Sequence, residues 1–212
     1  MKPSILARSK MIESQIFAVS RHRMATDGEG ITTLVAFSGC PLRCRYCLNK
    51  ASWDPERGRL YTPEELYETT KIDQLYFLAT QGGVTFGGGE PMLHVDFIKA
   101  FRKLCGPQWK LHLETCLNVP QANVEALDAV VDGYFVDIKD VNPVIYKAYT
   151  GKDNAQVMSN LEWLLQQGDA SRVTVRVPHI PDFNTDADVQ ASIERLKAMG
   201  VVNIDEFEYV IN

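Results

Sequence analysis

Thr32-Thr33-Leu34-Val35-Ala36-Phe37, followed after Ser38-Gly39 by Cys40-Pro41-Leu42-Arg43-Cys44-Arg45-Tyr46-Cys47, is the stretch from which the rest of the chain is read. The first six residues are a short β-branched and apolar run, the signature of a buried strand, and the cysteines sit on the turn that leaves it. Three thiols within eight residues can be delivered by one loop. Soft sulfur donors of this kind suit iron–sulfur clusters, and three of them hold a cube by three of its four irons, leaving the fourth iron free for a substrate or cosubstrate. Structural zinc would need a fourth ligand to close its tetrahedron. None is nearby: His22, His94, His112 and His179 are scattered, and Cys105 and Cys116 are solitary. Zinc closed by a distant residue and reduced thiols without metal are the alternatives.

The strand is the first of six similar runs. The others are Val84 to Phe86, Lys110 to Glu114, Tyr134 to Ile138, Arg172 to Val177 and Glu206 to Val210. Helical patterns separate them. Thr62-Pro63-Glu64-Glu65 offers an N-cap, a first-turn proline and a capping-box glutamate, and further helices are predicted over His94 to Leu104, Val124 to Val131, Ala155 to Gln167 and Asp186 to Met199, the last ending at Gly200. Repeated β-α units imply parallel strands. Six units are too few for a closed eight-stranded barrel, so the expected fold is α/β, an open partial (β/α)6 barrel, preferred to a doubly wound sheet. Functional groups then belong at the carboxyl ends of the strands. The cysteine loop falls there, and so does Gly87-Gly88-Gly89-Glu90-Pro91 after the second strand. Consecutive glycines let main-chain oxygens and amides approach a ligand closely.

Length and composition allow one domain: 212 residues with 45% apolar content fill one sizeable core. We expect residues 27–212 to form it and residues 1–26, the least legible part, to be an N-terminal extension packing on the core. A net charge of −5 argues against a general grip on nucleic acid. No run approaches the roughly 18 to 20 apolar residues of a membrane span. Residues 1–8 lack the apolar run of a signal peptide, and five cysteines, three of them crowded, do not make a disulfide framework. The chain reads as cytoplasmic with reduced thiols.

Cys-x3-Cys-x2-Cys after the first strand and Gly-Gly-Glu after the second resemble the radical S-adenosylmethionine enzymes. Four further segments make the chain similar to the glycyl-radical-enzyme activating enzymes within that superfamily: Asp27-Gly-Glu-Gly30, Cys47-Leu-Asn49, Asp137-Ile-Lys139 and Val175-Arg-Val-Pro-His-Ile-Pro181. The resemblance covers about residues 25–210. It implies a [4Fe-4S] cluster on Cys40, Cys44 and Cys47, with S-adenosylmethionine chelating the open iron. Tyr46 and Leu48 match positions that contact the cosubstrate, and Gly88, Gly89 and Glu90 positions that receive its amino group. Asp137 and Lys139 match positions near its carboxylate. Glu114, with Thr115 and Asp137, matches a place for a monovalent cation. Asp27 matches a residue that touches the glycine loop of the protein substrate.

The implied activity is reductive cleavage of S-adenosylmethionine to a 5′-deoxyadenosyl radical, which takes a hydrogen atom from a glycine of a partner glycyl radical enzyme. A one-electron donor such as flavodoxin or ferredoxin is implied as well. The chain departs from the family pattern in three places. It has no cysteine from Ala51 to Glu90 and so matches the short form without a ferredoxin-like insert; Glu114 stands where aspartate is common; and Cys116-Leu117 replaces a frequent asparagine-glycine. The rival readings are another radical S-adenosylmethionine reaction, on a peptide or of the 7-carboxy-7-deazaguanine synthase type, and a non-catalytic iron–sulfur or zinc module. An electron carrier would cap all four irons with protein ligands, and neither non-catalytic module explains Gly-Gly-Glu.

Overall fold

The computed structural model describes residues 11–24 and 26–209. Residues 1–10 and 25 of the expected N-terminal extension, and Val210 of the last expected strand, lie outside them. In chain order the elements are β1 (Ser14–Met24), β2 (Ile31–Phe37), β3 (Arg59–Tyr61), α1 (Pro63–Lys71), α2 (Gln74–Thr80), β4 (Gly83–Gly88), α3 (Val95–Cys105), β5 (Lys110–Thr115), α4 (Gln121–Asp128), β6 (Gly133–Asp137), α5 (Pro143–Thr150), α6 (Ala155–Gln166), β7 (Val173–His179), α7 (Asp186–Ala198) and β8 (Asn203–Glu208). The six runs read as strands are β2, β4, β5, β6, β7 and β8. The capping box at Thr62 and Glu65 forms, with both reciprocal hydrogen bonds present.

One eight-stranded sheet runs in the order β3-β1-β2-β4-β5-β6-β7-β8 and does not close. From β2 to β8 every neighbour is parallel. The expectation of an all-parallel sheet needs one correction, because β1 and β3 join it antiparallel at one edge. The cause is local. The second half of β1, Ser20-Arg21-His22-Arg23, carries no apolar alternation, and the pairing register shifts between Ser20 and Arg23, where His22 takes φ +57°. A bulge of this kind removes the period-2 signal. Arg21 and His22 are nonetheless fastened: Arg21 Nε and His22 Nε2 lie 2.7 and 2.9 Å from the carboxylate of buried Asp73, which Arg21 Nη2 also reaches.

Alternation along the parallel strands separates the two sides of the sheet. Leu111 and Leu113, Tyr134 and Val136, and Val173, Val175 and Val177 are buried under the helices. Their neighbours His112, Glu114, Phe135, Asp137, Thr174 and Arg176 face the concave interior and are partly exposed. Under α3, Phe37 packs on Phe86 and Phe97, and Phe86 on Phe101, with ring centroids 5.4 to 5.5 Å apart. The outer side therefore holds the chain together. The inner side is left free for polar chemistry.

Candidate cofactor site

Two loops at the carboxyl ends of β2 and β4 are sewn to each other. Gly89 N–H donates to the Phe37 carbonyl at 2.8 Å, and Glu90 N–H to the Gly39 carbonyl at 2.7 Å. A Cβ at Gly89 would fall 2.2 Å from the Gly39 oxygen, and Gly88 holds φ +86°, so both positions need glycine. On the far side the cysteine loop is tied to α5, where Arg43 and Arg45 N–H donate to the Thr150 and Tyr149 carbonyls at 2.9 and 3.1 Å. Leu42 is buried beneath the loop.

The thiols of Cys40, Cys44 and Cys47 then open onto one cavity of about 400 Å³, in the size range of small-molecule and cofactor sites. Gly88 and Gly89, Glu114 to Cys116, Asp137, Lys139, Arg176, Asp205, Phe207 and Tyr209 complete its wall. Every parallel strand, or the loop that follows it, thus contributes a residue.

The electrostatics follow from burial. It pushes the Cys44 thiol up to about 12, against the pull of Lys139, and raises Cys47 as well. Cys40 is lowered because Cys116 hydrogen-bonds to it, while Cys116 is raised by that same hydrogen bond, then by burial and Glu90. Lys139 Nζ lies 3.1 Å from Asp137 Oδ2 and 5.7 Å from the Tyr209 ring centroid. Burial works against its charge, but Asp137, then Cys44, outweigh burial and hold its pKa above the ordinary lysine value. Glu114 is raised mainly by burial, in spite of Arg176, whose Nη1 lies 2.9 Å from Glu114 Oε1.

Most of the expected site residues come together here: the three cysteines, Leu48, Gly88, Gly89, Glu114, Asp137 and Lys139 all line the cavity. Three do not. The Glu90 carboxylate is fully buried and turned inward, accepting from Met92 N–H, Thr115 Oγ1 and Cys116 N–H at 2.8 to 3.0 Å. Tyr46 packs edge-on against Tyr149 and Phe183, and its hydroxyl donates to Asp182. Asp27 is buried in an ion pair with Arg23, its carbonyl accepting from Thr85 Oγ1. Sequence reasoning gave no role to Arg176, nor to Asp205, Phe207 and Tyr209, and it noted Cys116 only as a departure from the family pattern. A single arginine among the valines of β7 was the available signal for the first. Arg176 also supplies a fixed positive charge at Glu114, where the resemblance implied a monovalent cation.

The donor set fits the implied cofactors. Three thiols from one loop, a glycine cradle that a Cβ would fill, and an ammonium in the same cavity wall suit a thiolate-bound cluster together with a ligand that carries a carboxylate. Among the described residues no three His, Cys, Asp or Glu side chains are arranged around the position of a single ion.

Comparison with known proteins agrees with this geometry. The chain is 39% identical over 126 residues to the pyruvate formate-lyase-activating enzyme of Clostridium pasteurianum, covering 59% of this chain and 53% of that one. It is 29% identical over 168 residues to pyruvate formate-lyase 1-activating enzyme of Escherichia coli K12, covering 76% and 66%. The chain therefore spans between about half and two thirds of the length of these relatives. Among solved structures, SuiB of Streptococcus suis bound to S-adenosylmethionine superposes with a TM-score of 0.61 at 11% identity, covering 84% of this chain and 40% of that one. Native anSMEcpe with bound AdoMet gives 0.59 at 19% identity, covering 82% and 50%. At those identities the likeness is one of fold. The Radical SAM superfamily model matches residues 34–196, and this chain belongs to that superfamily, whose cofactors are a [4Fe-4S] cluster and S-adenosylmethionine.

Proposed function

We propose that this chain is a glycyl-radical-enzyme activating enzyme, acting on a glycine of a partner protein. The observation that carries the reading is the convergence of three thiols from one loop, the Gly88-Gly89 backbone and the Lys139 ammonium on one cavity. Similarity to relatives named as pyruvate formate-lyase-activating enzymes supports this reaction within the superfamily. When bound, the cluster and S-adenosylmethionine would supply the radical chemistry that removes a hydrogen atom from the partner's glycine.

The residues of this chain hold and orient. Cys40, Cys44 and Cys47 hold the cluster. The Gly88 and Gly89 carbonyls would accept from the amino group of the cosubstrate, and Lys139 would pair with its carboxylate as a point charge. Leu48 and Phe207 supply apolar wall and help exclude water, which strengthens the polar contacts inside. Arg176 keeps Glu114 paired on the cavity wall. Asp27 would reach an incoming segment only after its pair with Arg23 opens. The electron comes from a one-electron carrier protein. Five free cysteines suit a reducing compartment such as the cytoplasm; among the described residues no helix is long and apolar enough to cross a membrane.

The test is anaerobic reconstitution, reduction with dithionite, addition of S-adenosylmethionine and assay of 5′-deoxyadenosine, with Cys44→Ala as control. Production in the parent that vanishes in the variant is expected, together with a glycine-centred radical signal in the matching partner. A fully loaded, reduced protein that makes no 5′-deoxyadenosine even with candidate partners present sinks the reading.

A further inference from the structure

The cavity wall runs out at the edge of the sheet, where Tyr209 follows β8. Asp205 and Phe207 line the cavity with it, while Glu206 and Glu208 between them are exposed, as alternation along a strand requires. The tyrosine N–H donates to the His179 carbonyl at 3.0 Å and so extends the pairing of β8 with β7. Among the described residues no strand lies beyond β8, so this end of the wall needs another fastening.

The Tyr209 side chain supplies one. Its hydroxyl donates to the Tyr46 carbonyl at 3.0 Å, one residue before Cys47. Its ring packs edge-on against Tyr149, whose carbonyl accepts from Arg45 N–H in the same cysteine loop. The ring also meets Lys139, whose Nζ lies 5.7 Å from the centroid, within cation–π reach. Asp137 holds that ammonium at 3.1 Å. An ammonium has three donors; Asp137 takes one, and an aromatic face attracts the charge without offering an oxygen, so donors remain for a ligand that carries a carboxylate. A lysine stem is flexible, and fixing its head beforehand lowers the cost of binding.

We propose that Tyr209 is a positioning residue with two separable parts. Its ring holds the Lys139 ammonium ready for the cosubstrate carboxylate, and its hydroxyl ties the end of the last strand to the loop that carries the three cysteines. The proposal rests on the reading of the site in which Lys139 meets that carboxylate. One side chain then links the grip on the cosubstrate to the grip on the cluster, across the side of the barrel that the sheet leaves open.

The test uses the reconstituted, cluster-loaded protein and two readouts: the Kd for S-adenosylmethionine by calorimetry, and the rate at which a chelator strips iron. Tyr209→Phe keeps the ring and removes the hydroxyl; Tyr209→Leu removes both. The Kd should rise about 3- to 10-fold in Tyr209→Leu and stay within about twofold of the parent in Tyr209→Phe, the ring alone being responsible. Iron loss should be about 3- to 10-fold faster in both variants, because both lack the hydrogen bond to the Tyr46 carbonyl. In a Lys139→Met background, Tyr209→Leu should leave the Kd where Lys139→Met alone puts it, since the group it acts through is gone. An equal Kd loss in both backgrounds overturns the action through Lys139, as does an unchanged Kd in Tyr209→Leu or an equal loss in Tyr209→Phe. Iron loss at the parent rate in both variants overturns the tie to the cysteine loop. A cluster-loaded parent that binds no S-adenosylmethionine overturns the reading of the site instead, and the proposal with it. Should Tyr209→Leu load no cluster, Tyr209→Met, closer in length, is read by the same measurements.

Discussion

Arg176 Nη1 on β7 lies 2.9 Å from Glu114 Oε1 on β5, across the intervening strand β6, and the pair is four-fifths buried inside the open barrel. The guanidinium also donates to the Thr26 carbonyl at 3.0 Å and sits 4.7 Å from the Phe135 ring centroid. One side chain thus braces three parts of the interior.

Removing it leaves a buried carboxylate without its partner. Arg176→Met should lower stability by about 1 to 3 kcal/mol near pH 8, the cost of leaving a largely buried acceptor unsatisfied. The pH dependence has a definite sign. Burial raises the folded-state pKa of Glu114 above its unfolded value even in the parent, so the folded state holds its proton more tightly. Stability from this group is therefore full below the ordinary carboxylate range and is lost as pH rises through the folded value. Without Arg176 the folded value rises further, and the deficit must grow from pH 5 to pH 8. Thermal or urea midpoints across that range would show it; a deficit independent of pH contradicts the pairing.

Glu90 is braced by its partners. Its carboxylate takes three donors from the end of β5 and the turn after β4, fixing the glycine cradle relative to Thr115 and Cys116. Glu90→Ala leaves those donors unsatisfied and should cost about 3 to 5 kcal/mol, where unmade buried hydrogen bonds cost about 1 to 3 each. Glu90→Gln keeps the shape and one acceptor and should lose about half as much. A loss near zero in Glu90→Gln beside a large one in Glu90→Ala, measured by urea unfolding, would mean that the carboxylate acts only as filler.

Much of this was legible because the informative residues are local. A cysteine loop, a glycine turn and a capping box are each encoded within a few neighbouring positions. What escaped depends on distant partners. The strand β1 is polar and bulged, and only its pairing with β2 makes it a strand. The short helix α2 exposes Leu75, Tyr76 and Leu78, so it shows no clean apolar face. The helix α5 was missed despite a good signal, Asn142 as N-cap, Pro143 after it and Gly151 at its end. Glu90 illustrates the other limit. The motif marks its position, but only the fold reveals that its carboxylate turns away from the cavity.

Gly89→Ala tests the seam between the two loops. Its Cβ would meet the Gly39 and Phe37 carbonyl oxygens at 2.2 and 2.8 Å, both part of rigid backbone. We expect a loss of about 3 kcal/mol or more, with poor recovery of folded protein. Gly151→Ala is the control: it has φ +80° but nothing within 4 Å of an added Cβ, so only the left-handed penalty of about 1 to 2 kcal/mol applies. Comparable losses at both sites would show that backbone angle, not the close approach, governs Gly89.

Lys139 offers the sharpest separation between holding the cluster and holding the cosubstrate. Its ammonium is buried in the cavity wall and paired with Asp137, yet it is not a cluster ligand. Lys139→Met removes one charge-assisted hydrogen bond to the cosubstrate carboxylate, about 1.5 to 3 kcal/mol, or roughly a 10- to 150-fold rise in the Kd for S-adenosylmethionine. Iron content and the visible absorbance of the reconstituted cluster should be those of the parent. Lys139→Arg keeps the charge but replaces a compact ammonium with a planar fork, and should recover only part of the affinity. Calorimetric titration of the loaded variants decides the point. An unchanged Kd in Lys139→Met would place the carboxylate elsewhere on the wall, with Arg176 the remaining cation to examine.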